Sequence, residues 1–185
     1  MGANHNIKRY GEVWPDYKIE FGLKILEKLK QWIVVSGGWA WHFMSEMNHK
    51  EFKHAHDHKD IDIFVNPKNV GIVMQILLED GFEKVWTRYD HMPSNENFRR
   101  YEKKEWLPTG KEVRVTIDFF ESKTIESVEV NGWNVVEPKT LLGFYANIHT
   151  SDKCWAVKSA IKLLEKGENL IGNPLLSKIP LMGIT

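Results

Sequence analysis

The sequence feature that most constrains the fold is a short apolar segment, residues 32–36, that stops at Gly37 and Gly38. The segment predicts a β-strand, and the residues from Trp39 to about Met47 predict a helix directly after it. Glycines at such a junction carry no Cβ atoms, so backbone N–H groups and the N-terminus of the helix can come close to a phosphate. The glycine pair therefore predicts a phosphate-binding turn between a strand and a helix.

A second strand is predicted at residues 58–65, where Asp60 and Asp62 are two positions apart. Side chains at positions i and i+2 of a strand lie on one face, so both carboxylates point the same way and the apolar residues between them point into a core. Two carboxylates about 5 Å apart repel each other by roughly 3 kcal/mol at an effective dielectric constant of 20. A cation between them removes this repulsion, and oxygen ligands suit Mg²⁺. Metal-binding carboxylates beside a phosphate-binding turn indicate phosphoryl or nucleotidyl chemistry.

A third carboxylate is predicted on the segment 111–120, where polar and apolar residues alternate as in a strand with one polar face. Asp118 lies on that polar face near the end of the strand, between Val-Thr-Ile and Phe-Phe. This position favours a site residue, and the alternative is a residue that begins a turn.

Taken together, Gly-Gly-Trp-Ala followed by His-x-Asp-Ile-Asp-Ile resembles the nucleotidyltransferase superfamily with the polymerase-beta-like fold. The resemblance is closest to its small bacterial branch, the lincosamide and aminoglycoside nucleotidyltransferases, and covers residues 32–121. It implies an α+β fold in which helices flank a mixed sheet and further helices follow at the C-terminus. It also implies Mg²⁺-dependent transfer of an NMP group from an NTP, with ATP as the favoured nucleotide. The group goes to a hydroxyl of a small-molecule acceptor such as an antibiotic, and pyrophosphate is released.

The resemblance also implies roles for individual residues. The catalytic and metal-binding residues that it implies are three carboxylates, Asp60, Asp62 and Asp118. The residues implied to hold the phosphates are a serine and the glycine pair, Ser36, Gly37 and Gly38. His58 occupies the histidine of the family pattern and is expected to orient an aspartate or a phosphate. Lys153 is the nearest match to a lysine that approaches the triphosphate in relatives.

The chain departs from the family pattern in three places. Cys154 follows Lys153 where relatives have an aspartate, so Lys139 or Lys158 could supply the cation instead. His56 stands where relatives often have an arginine, and the link between the glycines and the carboxylates is unusually long. His54, His56 and His58 alternate within that link, which leaves a zinc site open beside the interpretation as a solvated loop.

Length and charge limit the remaining possibilities. The 185 residues fit one domain, with a core over about 16–136 and a C-terminal helical part over 137–185. Lysine plus arginine number 25, as do aspartate plus glutamate, so nucleic acid is an unlikely partner and a small acceptor is favoured. The apolar residues 168–185 are expected to pack across the domain or against a partner, either a second copy of the chain or another protein.

The sequence also bears on the compartment. Cys154 is the only cysteine, which excludes a disulfide within the chain and favours the cytoplasm. The first residues lack the apolar run of a secretory signal, and no segment approaches the roughly 18 continuous apolar residues of a membrane span. We therefore expect a cytoplasmic protein.

Periodicity and turn residues predict the remaining elements. An amphipathic helix is predicted at 16–30, and a helix that begins at Asn66-Pro67 and ends at Gly81 should return the chain to a strand at 82–87, beside the Asp-x-Asp strand. Further elements are predicted as a strand at 98–102, a hairpin at 128–136 turning at Asn131-Gly132, and helices at 139–148 and 152–166.

Two alternatives to the transferase remain open. One is a non-catalytic binding or antitoxin-like module of the same fold, favoured by the departures from the family pattern. The other is a metal protein built on the histidine cluster. Trp39 and Trp41 could frame a nucleobase, although packing in the core is the favoured interpretation.

Overall fold

The computed structural model of the protein describes residues 16–44, 60–87, 90 and 97–146. The following predictions therefore lie outside the described residues: His54, His56, His58, Lys153, Lys158, the helix at 152–166 and the tail at 168–185. The division into a core and a C-terminal helical part stays a prediction, because residues 147–185 are not among those described.

Within these ranges the protein is an α+β fold in which helices accompany one mixed sheet, which confirms the predicted fold class. The strands are β1 (Ile33–Val35), β2 (Asp60–Val65), β3 (Glu83–Val85), β4 (Phe98–Trp106), β5 (Glu112–Glu121), β6 (Ser127–Val130) and β7 (Trp133–Val136). The helices are α1 (Asp16–Leu29), α2 (Gly37–Met44), α3 (Val70–Glu79, preceded by a 3₁₀ turn at Pro67–Asn69) and α4 (Pro138–Ala146).

The sheet has the order β3-β4-β5-β2-β1-β7-β6. Strand β2 pairs antiparallel with β1 on one side and parallel with β5 on the other, and β4 pairs antiparallel with β5. This order corrects the prediction that residues 82–87 lie beside the Asp-x-Asp strand, because β3 is instead an edge strand that pairs with β4. Hairpin pairing of β5 with the long strand β4 places both strands between β2 and β3.

The core lies on the face of β2 and β5 opposite the aspartates. Alternate residues of these strands are at most 2% exposed, namely Ile61, Ile63, Val65, Ile117 and Phe119. The apolar face of α1 joins the same core. Trp39 and Trp41 are each 1% exposed, so both tryptophans pack in the core and neither frames a nucleobase.

The hairpin of β6 and β7 turns at Asn131 and Gly132, as predicted. Both residues have positive φ, 51° and 77°, which is the conformation that a two-residue turn of type I′ requires. Among the helices of the described ranges, none is both long and apolar enough to cross a membrane.

Helix α1 approaches α2 closely at Gly22. A Cβ atom built on Gly22 would lie 2.2 Å from Cζ2 of the buried Trp39, so the indole occupies the space that a side chain would need. We expect Gly22→Ala to destabilise the protein by about 1–3 kcal/mol through overpacking, despite the better helix propensity of alanine. Gly143→Ala in α4 meets no atom within 4 Å and should be neutral or stabilising. Thermal melts of both variants test this contrast, and a Gly22→Ala melting temperature at or above that of Gly143→Ala would contradict it.

Candidate active site

The parallel pairing of β2 with β5 places the three predicted carboxylates on one face of the sheet. Asp62 and Asp118 are partners in the register, and Asp60 is opposite Thr116. Neighbouring strands lie about 4.8 Å apart and partnered residues share a face, so the backbone holds all three carboxylates as close neighbours. Asp118 is buried, whereas Asp60 and Asp62 are half-buried.

An arginine lies among these carboxylates. Strand β4 places Arg100 opposite Asp118. Its guanidinium donates two hydrogen bonds to Asp118, from Nε to Oδ1 and from Nη2 to Oδ2, both 2.6 Å long. The same Nη2 atom is 3.7 Å from Oδ2 of Asp60. The hydrogen bonds to Asp118 raise the pKa of Arg100 above its ordinary value, so the guanidinium remains charged at every relevant pH.

The carboxylates suit Mg²⁺ in chemistry and in backbone position. Carboxylate oxygens are the hard ligands that Mg²⁺ prefers, and three of them face the same side of two paired strands. Across the residues that the structure describes, however, no three acidic, histidine or cysteine side chains are grouped to hold a metal ion together. Both oxygens of Asp118 are engaged by the guanidinium of Arg100.

The glycine bend packs directly against Asp62. Gly37 has a φ of +59°, and a Cβ atom built on it would lie 2.0 Å from Oδ2 of Asp62. The backbone N–H of Ser36 donates a 2.8 Å hydrogen bond to the carbonyl oxygen of Asp62, which ties the bend to β2. Only glycine at position 37 allows the carboxylate this approach.

The helix after the bend begins earlier than predicted. Helix α2 starts at Gly37 rather than Trp39, because the carbonyl oxygen of Ser36 already accepts a hydrogen bond from the N–H of Ala40. The glycine pair therefore forms the first turn of a helix, and Ser36, Gly37 and Gly38 are all buried. The N–H of Ser36 is already bonded to β2. The groups of this turn that suit a phosphate are therefore the Ser36 hydroxyl and the N–H groups of Gly37 and Gly38. These two N–H groups belong to the first turn, so they have no acceptor within the helix.

An aromatic row continues the acidic face. Phe64 lies two residues beyond Asp62, and Phe120 lies two residues beyond Asp118, with Phe98 of β4 opposite it. The ring centroids of Phe64 and Phe120 are 5.3 Å apart, and those of Phe98 and Phe120 are 5.2 Å apart. These three rings form an apolar wall along one side of the carboxylates, and such a wall strengthens electrostatic interactions by excluding water.

The sequence interpretation missed Arg100. The available signal was the hairpin of β4 and β5, because counting outward from a turn centred on Thr109 pairs position 100 with position 118. His58 and Lys153, the other predicted phosphate-binding residues, lie outside the described ranges.

Three solved structures are similar to this fold. The crystal structure of JHP933 from Helicobacter pylori matches with a TM-score of 0.52 at 9% identity, covering 76% of this chain and 63% of that chain. An antigenic nucleotidyltransferase-like protein from Paracoccidioides brasiliensis matches with a TM-score of 0.48 at 15% identity, over 80% and 74% of the two chains. The lincomycin-bound lincosamide antibiotic adenylyltransferase LnuA matches with a TM-score of 0.46 at 16% identity, over 80% and 98%.

No protein-family model and no curated protein matches the sequence. The match spans less than two thirds of the Helicobacter pylori chain, and identities of 9–16% describe similarity of fold alone. The protein is thus similar in fold to JHP933 from Helicobacter pylori, over the part of that chain that the match spans.

Proposed function

We propose that the protein is a Mg²⁺-dependent nucleotidyltransferase that moves an NMP group from an NTP to a hydroxyl of a small-molecule acceptor. One observation carries the proposal: Asp62 is in register with Asp118 and packs against the bare Cα of Gly37. The sheet thereby brings two carboxylates and the start of a helix to one place. That combination suits a triphosphate with its metal ion.

The side chains would divide the work as follows. Asp60, Asp62 and Asp118 would hold one or two Mg²⁺ ions, which neutralise phosphate charge and polarise the α-phosphate when bound. The Ser36 hydroxyl and the N–H groups of Gly37 and Gly38 would donate to the β- and γ-phosphate oxygens. In a second role, Asp118 would accept the proton of the acceptor hydroxyl. The oxygen of that hydroxyl attacks the α-phosphorus, and pyrophosphate leaves.

Several finer assignments belong to the same proposal. ATP is the first choice of nucleotide, and His58 and Lys153 are proposed to contact the phosphates. The balance of 25 basic and 25 acidic residues favours a small acceptor, with an antibiotic as one candidate, over nucleic acid. A cytoplasmic location and a homodimer or a complex with a partner protein are proposed on the sequence alone.

The test is the incubation of purified protein with Mg²⁺, each α-³²P-labelled NTP and panels of lincosamides, aminoglycosides and other hydroxyl-bearing small molecules. The expected result is Mg²⁺-dependent movement of label to one acceptor with equal release of pyrophosphate, and no transfer in EDTA. Failure of label to move to any acceptor would count against the transferase, and ATP binding measured with and without Mg²⁺ then tests the alternative below.

The second candidate is a non-catalytic module of the same fold, and the Arg100–Asp118 pair favours it. A carboxylate engaged by two hydrogen bonds from a guanidinium already has a counter-ion, so the acidic face can persist without a metal ion. The two candidates differ in Mg²⁺-dependent ATP binding, which calorimetry measures directly. Binding of ATP that is insensitive to Mg²⁺, or no binding, is the expected result for the module.

A further inference from the structure

We propose that Arg100 is an internal counter-ion that competes with the divalent cation for Asp118 and, once displaced, binds the phosphates of the nucleotide. The inference rests on the proposed function, since it assigns a phosphate-binding residue to that same site. It begins from the two 2.6 Å hydrogen bonds by which Arg100 engages both oxygens of Asp118. A metal ion at Asp118 needs at least one of those oxygens.

Charge balance favours this exchange. Asp60, Asp62 and Asp118 bring three like charges to one face, and Arg100 is the cation that contacts Asp118 and lies 3.7 Å from Asp60. Arg100 therefore supplies a counter-ion to Asp118 before any ion arrives, and it engages both oxygens that could ligate a metal. Removing the guanidinium should leave Asp118 without this counter-ion, and a divalent ion can then take its place.

The displaced guanidinium then needs an anion. A guanidinium close to a divalent ion is repelled by it, and the carboxylates of the site are shared with the metal. Arg100 is anchored on β4 and its side chain is only 32% exposed, so it stays beside the site rather than extending into solvent. Phosphate oxygens accept the paired hydrogen bonds of a guanidinium as a carboxylate does, and a bound triphosphate supplies them there.

This exchange predicts effects of opposite sign on two ligands. Arg100→Gln should bind Mn²⁺ about tenfold more tightly, because a charge-assisted pair that competes with the ion is gone. The same variant should bind α,β-methylene-ATP at saturating Mg²⁺ about tenfold more weakly, because a charged hydrogen-bond donor to phosphate is lost. Free Mn²⁺ is measured by electron paramagnetic resonance and the nucleotide analogue by calorimetry, so neither readout depends on turnover.

Two further variants sharpen the comparison. Arg100→Lys keeps the charge but cannot make the paired hydrogen bonds, so both affinities should shift in the same directions by smaller factors. It also provides a measurement if Arg100→Gln folds poorly. Arg114→Gln removes an equal charge from the face of the sheet that carries Asp118, about 13 Å along β5 from that residue. Arg114 forms an ion pair with Glu102 there. Both of its affinities should stay within about twofold of wild type, as for an exposed ion pair.

The outcomes separate this inference from the proposed function. Unchanged or weaker Mn²⁺ binding in the Arg100 variants, unchanged nucleotide binding, or no Mn²⁺ binding by any of these proteins would each overturn the inference. Parallel weakening of both ligands also overturns it, because that is the signature of structural damage. Tighter Mn²⁺ binding with weaker nucleotide binding, but no NMP transfer to any acceptor, would support the role of Arg100. In that case only the transferase assignment would be wrong.

Discussion

Replacing Asp62 by asparagine is expected to reduce NMP transfer about a thousandfold or more, while the protein remains folded. Asparagine has nearly the same shape but lacks the charge that is proposed to hold Mg²⁺, and metal stabilisation of the transition state contributes several kcal/mol. The fold should tolerate the change because one of three neighbouring like charges is removed. Initial rates of label transfer and a thermal melt measure the two effects.

Glu112→Gln provides the control for charge removal. Glu112 lies on the same strand as Asp118, about 20 Å along it, and accepts a hydrogen bond from Lys104 at the exposed end of the hairpin. Its variant should transfer NMP at the wild-type rate. An Asp62→Asn variant that matches Glu112→Gln in rate would remove Asp62, and with it the proposed metal site, from the mechanism.

Gly37→Ala is expected to abolish transfer and to lower stability. An alanine at a φ of +59° is strained, and its Cβ atom would lie 2.0 Å from Oδ2 of Asp62, so the carboxylate must move. Strain and overpacking together should cost about 2–5 kcal/mol of the free energy of unfolding. For a chain of this length that corresponds to a melting temperature lowered by about 5–15 °C.

Two comparisons separate strain from collision at Gly37. Gly110→Ala introduces a side chain at a φ of +79° where no atom lies within 4 Å, so it reports the backbone strain alone. Gly37→Ala in an Asp62→Ala background removes the colliding oxygen and Cγ atoms, although the Cβ atom of residue 62 remains at 3.2 Å, so its cost should fall towards that of Gly110→Ala. If Gly37→Ala is equally damaging with and without the Asp62 carboxylate, the two residues are not coupled and the packing described for the bend is wrong.

Local patterns in the sequence predicted the elements and the residues that share a face. The period of two in β2 and β5 is enough to separate Asp60, Asp62 and Asp118 from the core residues, because a strand alternates its faces whatever its neighbours are. The helix at 16–30 and the Asn131-Gly132 turn are similarly local, and both are observed with at most one residue of difference at a boundary.

Strand order and side-chain pairing could not be read in the same way. The strand–helix–strand pattern around α3 favoured β3 as the neighbour of β2, but the longer β4–β5 hairpin lies between them. Arg100 escaped notice because strand β4 was expected to end at residue 102, which left its register with β5 undefined. A cation opposite Asp118 depends on that register, which the turn defines only when β4 continues to residue 106.

The parallel alignment of β2 with β5 also delays assembly of the acidic cluster while the chain is being synthesised. Asp60 and Asp62 leave the ribosome well before Asp118. Strands β2 and β5 can pair only after the long loop between them has closed. The third carboxylate thus joins the other two only after β4 has emerged with Arg100. A nascent chain that stops short of β5 has the glycine bend and two of the carboxylates, but lacks the third.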